Sequence, residues 1–345
     1  MPAEVQAERL STARPEDLMR PVPEQSDIAA SYRDHAAMMA DSPCFAEWAA
    51  RTAEDPEVLA VLATLPTEKQ QANLVFAAAR WHGVPAPGPY AGLRAALLGP
   101  DQQAILDTVR TRRTQTNEVG RLTALTPALA TLGEGPFALV ELGTSAGLCL
   151  HPDGFDYDWG VGTLTGSGGP VLDCSTRGAL PVPDVHPRIA ARIGVDQHPL
   201  DVRSEEDMDW LLTLVWPEQE GRRARLRAAV EVARRSPAQL LGGDLFDRLE
   251  DALALAESSG AVPVVQHSAV IAYLEEPDRA RFHERMSSLV AAGRCHWISL
   301  EGQTVLPRLT ATGPAPSSPH PFCLAVDGQA VAWAHGHGRT LSWFG

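Results

Sequence analysis

A short apolar run, Phe137–Leu142 (FALVEL), constrains the fold of this chain more than any other feature. Five of its six residues are apolar, and Gly135-Pro136 and Gly143 bound it. A run of this length is short for a helix and is typical of a parallel strand that is buried on both faces. Because such a strand needs helices packed on both sides of its sheet, we expect an α/β fold.

Further apolar runs alternate with helical patterns along the rest of the chain. Four more strands are predicted, at Ala191–Val195, Gln239–Leu241, Ala261–Gln266 and Cys295–Leu300. Helices are predicted between most of them, at Ser204–Val215, Glu218–Ser236, Leu245–Glu257 and Pro277–Ala292. This order needs crossover connections and predicts an open parallel sheet. Two later apolar runs, joined by Asp327-Gly328, predict an antiparallel hairpin at the sheet edge.

The chain divides into three parts by pattern. Residues 1–25 are polar and lack apolar periodicity, which predicts a loosely ordered arm. Residues 26–132 show helical periodicity broken by Pro and Gly clusters, which predicts an all-helical N-terminal domain. Residues 133–345 form the predicted Rossmann-like domain. A glycine-rich insertion of short strands at 151–190 is expected to lie over the carboxyl ends of the strands, where open α/β sheets bind ligands.

Charge and composition exclude several partners. The chain has 345 residues and a formal net charge of −14, and nucleic-acid affinity depends largely on Lys and Arg, so no nucleic-acid partner is expected. No apolar run approaches the roughly 20 residues that span a bilayer, and the N-terminus lacks an apolar signal core, so we expect a cytoplasmic protein without a membrane partner. The five scattered cysteines form no CxxC pair, which predicts buried thiols rather than disulfides or a metal site.

The first strand leads into a glycine-containing loop, Gly143–Gly147 (GTSAG), which is typical of a nucleotide-type turn. It is not a dinucleotide fingerprint, because Ser145 stands where that motif needs a glycine, and this disfavours an NAD-using oxidoreductase. Asp196 follows the second strand, where a carboxylate accepts hydrogen bonds from ribose hydroxyls or caps a helix. Asp244 follows the third strand and either meets an adenine amino group or caps the next helix.

In the order ELGTSAG, GVDQHP, GGDLF and VVQHS, the chain resembles the class I S-adenosylmethionine (SAM) dependent methyltransferases. Within that superfamily, the strings TQTNEVGR, ELGTSAGLCL, GVDQHPLDV, LVWPEQEGRRARL and VVQHSAVIAYL are similar to a largely uncharacterised bacterial family known as a domain of unknown function. The resemblance covers most of residues 30–345. The loop departs from the superfamily pattern, since Thr144 and Ala146 stand where many members have a further glycine.

The resemblance implies SAM as cofactor and S-adenosylhomocysteine as its product. It implies that Glu141 and the loop face the methionine portion, that Asp196 and its neighbour Gln197 face the ribose, and that Asp244 and Leu245 face the adenine. The residues implied for cofactor binding are therefore Glu141, Gly143, Thr144, Ser145, Ala146, Gly147, Asp196, Gln197, Asp244, Leu245 and Gln266. Substrate-side residues are implied at the ends of the fourth and fifth strands, at Ser268 and Glu301.

Methyl transfer can use a general base and groups that hold the acceptor, and several polar residues are candidates for these roles. His267 is the first candidate for a general base, and the alternative is a core histidine bonded to the backbone. The cluster Asn117, Glu118 and Arg121 is the second, with Glu118 as catalytic and Arg121 as a clamp for a substrate carboxylate, and the alternative is an internal salt bridge. Tyr157 and Trp159 form either a substrate wall or a packed strand. His335 and His337 lie in a glycine turn and are predicted to be exposed rather than metal-binding.

These observations predict a SAM-dependent methyltransferase acting on a small molecule, with an acidic surface that favours a small or cationic acceptor. The alternative is a noncatalytic protein of the same fold that binds a nucleotide-like metabolite or another protein. The sequence does not assign an oligomeric state.

Overall fold

The computed structural model describes residues 25–39, 41–115, 117–316 and 321–345. Of the predicted N-terminal arm, residues 1–24 lie outside the described residues. The chain divides into two compact units. The first ends at Thr114 and also takes in Thr213–Glu220, and the second consists of Gln115–Leu212 and Gly221–Gly345.

The regular secondary structure of the first unit is all helical within the described residues, as predicted. Its helices are α1 (Gln25–Met38), α2 (Pro43–Thr52), α3 (Pro56–Leu62), α4 (Ala72–Trp81), α5 (Tyr90–Leu98) and α6 (Gln102–Thr111). Local signals set the helix starts: Ser42 caps α2 by accepting from the Phe45 N–H, and Asp55 caps α3 by accepting from the Val58 N–H. Proline stands at the first position of both helices, where its missing N–H costs nothing.

The second unit contains all twelve strands of the described chain. Those before the middle of the unit are β1 (Phe137–Leu142), β2 (Asp156–Asp158), β3 (Thr163–Leu164), β4 (Val171–Asp173), β5 (Ser175–Arg177) and β6 (Ile189–Asp196). The remainder are β7 (Gln239–Gly242), β8 (Val262–Ser268), β9 (His296–Gly302), β10 (Phe322–Val326), β11 (Gln329–Ala334) and β12 (Thr340–Trp343). The later helices are α7 (Leu122–Ala130), α8 (Glu205–Leu214), α9 (Glu220–Arg235), α10 (Leu245–Ser258), α11 (Glu276–Ala291) and α12 (Pro307–Thr310).

A nine-stranded, mostly parallel sheet organises this unit, in the order β5-β12-β11-β10-β9-β8-β1-β6-β7. Five neighbouring strands of this sheet, β7, β6, β1, β8 and β9, are parallel. Numbered by their order along the chain, they lie in the order 3-2-1-4-5, which is typical of doubly wound sheets. The predicted hairpin is confirmed: β10 and β11 pair antiparallel and extend the sheet beyond β9. Its turn residues Asp327 and Gly328 both have positive φ, as a tight hairpin turn requires.

The register of the central strand positions the side chains discussed below. All six residues of β1 are buried, so the prediction of a strand covered on both faces is confirmed. Glu141 lies opposite Gly194 of β6 on one side and opposite Gln266 of β8 on the other. Leu142 lies opposite His267. Parallel strands end at one edge of a sheet, so these residues meet at the carboxyl edge.

The insertion differs from its predicted position. It contains short strands, as predicted, and three of them, β3, β2 and β4, form a separate small sheet. However, it packs along α7, and β5 pairs in parallel with β12 of the main sheet. The physical reason is topological: after residue 150 the chain must return to the amino end of β6, which is parallel to β1, so it descends the height of the sheet.

The division between the units also differs from the predicted boundary at residue 132. It falls at Thr114, because α7 belongs to the second unit, where it contacts β4, β9 and β10. Every residue from Leu122 to Leu129 is buried. A helix that is apolar on all sides lies inside a core rather than on its surface.

Two smaller findings concern composition. All five cysteines are free and buried, as predicted. Among the residues that the structure describes, no helix is both long and apolar enough to cross a membrane.

Candidate functional site

The loop after β1 is a tight turn whose backbone donors are largely used within the unit. The N–H groups of Gly143 and Thr144 donate to the carbonyl of Val195, and that of Gly147 donates to the carbonyl of Thr144. Gly143 has φ +71°, and a Cβ there would lie 2.3 Å from Cγ2 of Val270. The glycine is therefore required both by the turn and by the close approach of the chain after β8.

Glu141 lies beneath this loop and is 4 % exposed. Its Oε2 accepts a hydrogen bond from Oγ1 of Thr144 at 2.7 Å. The pKa of Glu141 is raised from 4.5 to about 8, chiefly by burial; Thr144 and Arg121 oppose the rise, and the negative charge of Asp196 contributes to it. Glu141 is thus mostly protonated at neutral pH and supports the loop from below, and its burial leaves the position predicted to face methionine closed to solvent.

Asp196 ends β6 with its carboxylate half-buried and held in place by backbone donors. Oδ2 accepts from the N–H of Ser145 at 2.8 Å, and Oδ1 accepts from the N–H of His198 at 2.8 Å. A carboxylate oxygen has two lone pairs, so each retains capacity for another donor. Gln197 is exposed beside it.

Asp244 lies at the end of the neighbouring strand, and the structure identifies it as a helix cap. Its Oδ1 accepts from the N–H of Phe246 at the start of α10. The strands bring it close to Asp196, because Asp196 pairs with Gly242 and its carbonyl accepts from the N–H of Gly243. Leu245 is buried under this edge. The ends of β6 and β7 therefore present two carboxylates, with the exposed Gly242 between them.

His267 does not reach this edge as a base. Its ring is fully buried, and both nitrogens are occupied. The indole Nε1–H of Trp297 donates to Nε2 at 3.0 Å, so that nitrogen carries no proton, and Nδ1–H donates to Oε1 of Glu301 at 2.8 Å. The structure thus corrects the assignment of His267 as general base and of Glu301 as a substrate-side residue.

Glu301 has a structural task of its own. Oε1 also accepts from the N–H groups of Val270 and Ile271, which fixes the chain that follows β8. Gln266 is likewise buried, and its Nε2 donates to the carbonyl of Cys149 at 3.0 Å. These side chains hold the carboxyl edge together rather than facing solvent.

The segment from Asn117 to Arg121 covers the carboxyl edge of β1. The Asn117 side chain donates from Nδ2 to the carbonyl of Thr144 at 3.1 Å and accepts from the N–H of Leu148 at 3.0 Å. Glu118 is buried and pairs with Arg222, whose Nε lies 2.5 Å from its Oε2. This is the internal salt bridge that the sequence left as an alternative, and it removes Glu118 as a free catalytic group.

Arg121 and Ser268 meet at the ends of α7 and β8. Nη1 of Arg121 donates to the carbonyl of Ser268 at 3.0 Å and to its Oγ at 3.2 Å, and Nε donates to the carbonyl of Gly336 at 2.9 Å. The structure therefore brings Asn117, Arg121 and Ser268 to the same edge as the loop. They lie between β1 and β8, where the strand order of the parallel sheet reverses.

Tyr157 and Trp159 belong to the core instead of a substrate wall. Their rings stack with centroids 5.0 Å apart and planes 2° apart. The Trp159 indole donates to the carbonyl of Thr123, and the Tyr157 hydroxyl donates to the carbonyl of Pro152. Both are buried, so the alternative of a packed strand is the one observed, and the assignment as substrate-binding residues is corrected.

Two arginines beside this edge, Arg222 and Arg225 on α9, were not singled out from the sequence, and His337 on the β11–β12 turn lies there as well. Arg225 lies 3.9 Å from Glu118, and the carbonyl of His337 would meet a Cβ on Gly120 at 2.5 Å. His337 is partly buried here instead of exposed as predicted. The dense arginines of EGRRARL were a usable signal, since a run of arginines at the start of a helix is unusual for so acidic a chain.

A cleft of about 300 Å³ lies at the opposite, amino edge of the sheet. Glu134, which precedes β1, and Pro181–Pro187, which precede β6, contribute to its wall. None of the residues singled out from the sequence lines it. The candidate site is assigned to the carboxyl edge because Asp196, Asp244 and the loop Gly143–Gly147 lie there.

Comparison with known proteins gives one match. The family described as "Uncharacterized protein conserved in bacteria (DUF2332)" matches residues 29–343. No curated protein and no solved structure matches the chain.

Proposed function

Because the chain belongs to the DUF2332 family, whose description assigns no activity, we propose a function from its own residues: SAM-dependent methyl transfer to a small-molecule acceptor at the carboxyl edge of the second unit. The proposal rests on the position and orientation of the Asp196 carboxylate. Its half-buried carboxylate ends the second parallel strand and is oriented by the N–H of Ser145, in the loop that follows the first. In doubly wound sheets a carboxylate at this position accepts from ribose hydroxyls.

The residues present fit the adenosine portion of such a cofactor. Asp196 keeps free lone pairs, and Asp244 lies one strand away across the exposed Gly242. Ser145 adds an unused polar group: its hydroxyl is buried and has no hydrogen-bond partner within the described chain. A buried hydroxyl without a partner is costly unless a ligand or water satisfies it, which supports a polar ligand beside Asp196.

At the methionine end, the residues offer a narrower set of contacts. The loop donors already bond to Val195 and Thr144, and Val270 fills the space above Gly143. The Ser145 hydroxyl there has no partner among the described residues, whereas the side chains of Asn117 and Arg121 at the same edge are already hydrogen-bonded. We therefore place the wall of this half of the site at residues 117–121.

SAM supplies a methyl group already activated on a sulfonium, so the chain's task is to hold a nucleophile in line with it. His267 and Glu118 both spend their polar atoms on internal bonds. The proposed acceptor therefore reacts through an atom that is nucleophilic without a protein base, such as a thiolate, a carboxylate or a neutral amine.

Calorimetry with SAM, S-adenosylhomocysteine and adenosine tests the proposal on the full chain. We expect all three to bind, and Asp196→Asn to weaken binding at least about tenfold, because it replaces a charged acceptor by a neutral one. Asp201→Asn is the matched control, since Asp201 also accepts a backbone N–H two residues on but pairs with the exposed Arg203. No binding by the wild type, or equal losses in both variants, would overturn the proposal.

A noncatalytic role is the second candidate, and the buried state of His267 and Glu118 favours it. In that case adenosine and SAM bind at Asp196, but no acceptor mixture converts SAM to S-adenosylhomocysteine. Release of S-adenosylhomocysteine in the presence of acceptor pools decides between the two roles.

A further inference from the structure

Positive charge gathers at the carboxyl edge of this otherwise acidic chain. Glu118, Arg121, Arg222 and Arg225 form what we call the arginine cluster. Glu118 contributes a single negative charge, and Arg222 already pairs with it. Arg225 shares the same carboxylate at 3.9 Å, and Arg121 makes no ion pair among the residues that the structure describes, so the arginine cluster holds three positive charges against one negative charge.

Arg121 is 6 % exposed, yet its partners are uncharged. Nε donates to the carbonyl of Gly336, and Nη1 donates to the carbonyl and hydroxyl oxygens of Ser268. Glu141 is an anion only above neutral pH, because its pKa is raised to about 8 by burial. A buried guanidinium held only by neutral oxygens is costly and favours a nearby anion.

Arg225 is the accessible member of the arginine cluster. Its Nη2 lies 3.9 Å from Oε1 of Glu118, which is too long for a hydrogen bond, and its side chain is 31 % exposed. Its Nε is buried and has no hydrogen-bond partner among the described residues. Nε together with one Nη is the edge with which a guanidinium binds carboxylate or phosphate through two parallel bonds.

The pKa values of Arg222 and His337 are lowered by burial and by the nearby positive charges. Burial lowers the pKa of Arg222, and Arg121 and Arg225 lower it further, whereas Glu118 opposes the shift. Burial also lowers the pKa of His337 to about 3, with Arg222 and Arg121 as the next causes. His337 is therefore neutral and adds no charge to the arginine cluster.

We propose that the arginine cluster binds an anionic oxygen group of the acceptor, a carboxylate or a phosphate, with Arg225 and Arg121 as the residues that hold it. That the bound anion is the methyl acceptor rests on the function proposed above, whereas the anion site itself does not depend on that function. The overall charge of −14 favours a cationic acceptor. Locally the opposite holds, because charges beyond about 8 Å are largely screened at physiological salt.

Inorganic phosphate and succinate are the probes, titrated calorimetrically into the full chain without SAM. We expect at least one to bind the wild type, and Arg225→Gln to weaken it at least about tenfold. Arg227→Gln is the matched control, since Arg227 is an exposed arginine on the same helix, and it should leave the affinity unchanged. Preference for succinate identifies a carboxylate, and preference for phosphate a phosphoryl group.

Glu118→Gln tests the sign of the effect, because it removes the one negative charge of the arginine cluster and should tighten binding several-fold. If neither anion binds the wild type, or if Arg225→Gln and Arg227→Gln weaken binding equally, the anion site is wrong. If the chain binds an anion but not SAM, the anion site is supported and the proposal of SAM-dependent methyl transfer is wrong. If it binds SAM but neither anion, SAM binding is supported and the anion site is wrong.

Discussion

The indole N–H of Trp297 donates to Nε2 of His267, and this bond fixes the histidine as the neutral tautomer that carries its proton on Nδ1. That proton is donated to Glu301. The three side chains form a buried network in which neither ring nitrogen is left for chemistry.

For His267→Ala we expect a loss of about 2–4 kcal/mol in the free energy of unfolding, because the Trp297 N–H loses its acceptor and the Glu301 carboxylate loses one of its three donors. Affinity for SAM should be unchanged in the folded fraction. Chemical denaturation measures the loss, and nitrogen NMR of the wild type should show the Nδ1–H tautomer. His283→Ala, which removes a ring that contacts the same indole edge-on, is the control and should cost less. An Nε2–H tautomer would contradict the network.

The raised pKa of Glu141 predicts a pH dependence of stability. Its ordinary value is 4.5, and burial raises it to about 8 in the folded protein. The folded state therefore binds more protons between these values, and the stability contributed by the protonated carboxyl is full below pH 4.5 and is lost as the pH rises through 8. Glu141→Gln, a neutral side chain of the same shape, should flatten this decline and make the variant a few kcal/mol more stable relative to wild type at pH 8.5 than at pH 5. Unfolding at both pH values measures it; the exposed Glu276→Gln should follow the wild type.

Gly143 is predicted to tolerate no side chain while Val270 is present. Gly143→Ala should cost about 2–4 kcal/mol, from positive φ and from the clash with Val270. Gly160→Ala is the control, because Gly160 has φ +73° but nothing within 4 Å of the added Cβ, and should cost about 1–2 kcal/mol. Combining Gly143→Ala with Val270→Ala should cost less than the two single changes summed. A purely additive double variant would remove the clash as the cause.

Asn117 is predicted to hold the loop closed from above. Asn117→Ala removes the acceptor for the Leu148 N–H and the donor to the Thr144 carbonyl, so we expect a loss of about 1–3 kcal/mol. Hydrogen exchange gives a local readout: the Leu148 amide should exchange faster. The Gly147 amide, bonded to the Thr144 carbonyl, is the internal reference. Equal changes at both amides would indicate a general loosening instead.

The parallel sheet could be predicted because its strands carry their own signal. Phe137–Leu142 is apolar almost without break since both faces are buried, and its predicted bounds are those of β1. Asp327-Gly328 predicted the hairpin because only a few residues adopt two successive positive φ values. Both signals are local, so no knowledge of distant partners was needed.

The tertiary assignments had no such local signal. Helical periodicity over residues 26–132 does not indicate which core a given helix enters, so α7 lies in the second unit instead of the predicted N-terminal domain. The local sequence around His267 is the same whether its ring faces a ligand or accepts a hydrogen bond from Trp297, which follows it by 30 residues. Glu118 likewise left two interpretations open until its contact with Arg222, more than 100 residues away, was known.

The pairing of β5 with β12 has a consequence for how the chain acquires its fold. Ser175 lies opposite Thr340 in parallel register, so one edge of the sheet joins residues 165 positions apart. During synthesis, β5 emerges long before its partner, and its hydrogen-bonding edge stays open until β12 has left the ribosome. Long-range pairings of this kind form slowly and expose strand edges meanwhile. We therefore expect β5 to join the main sheet late in the folding of the second unit.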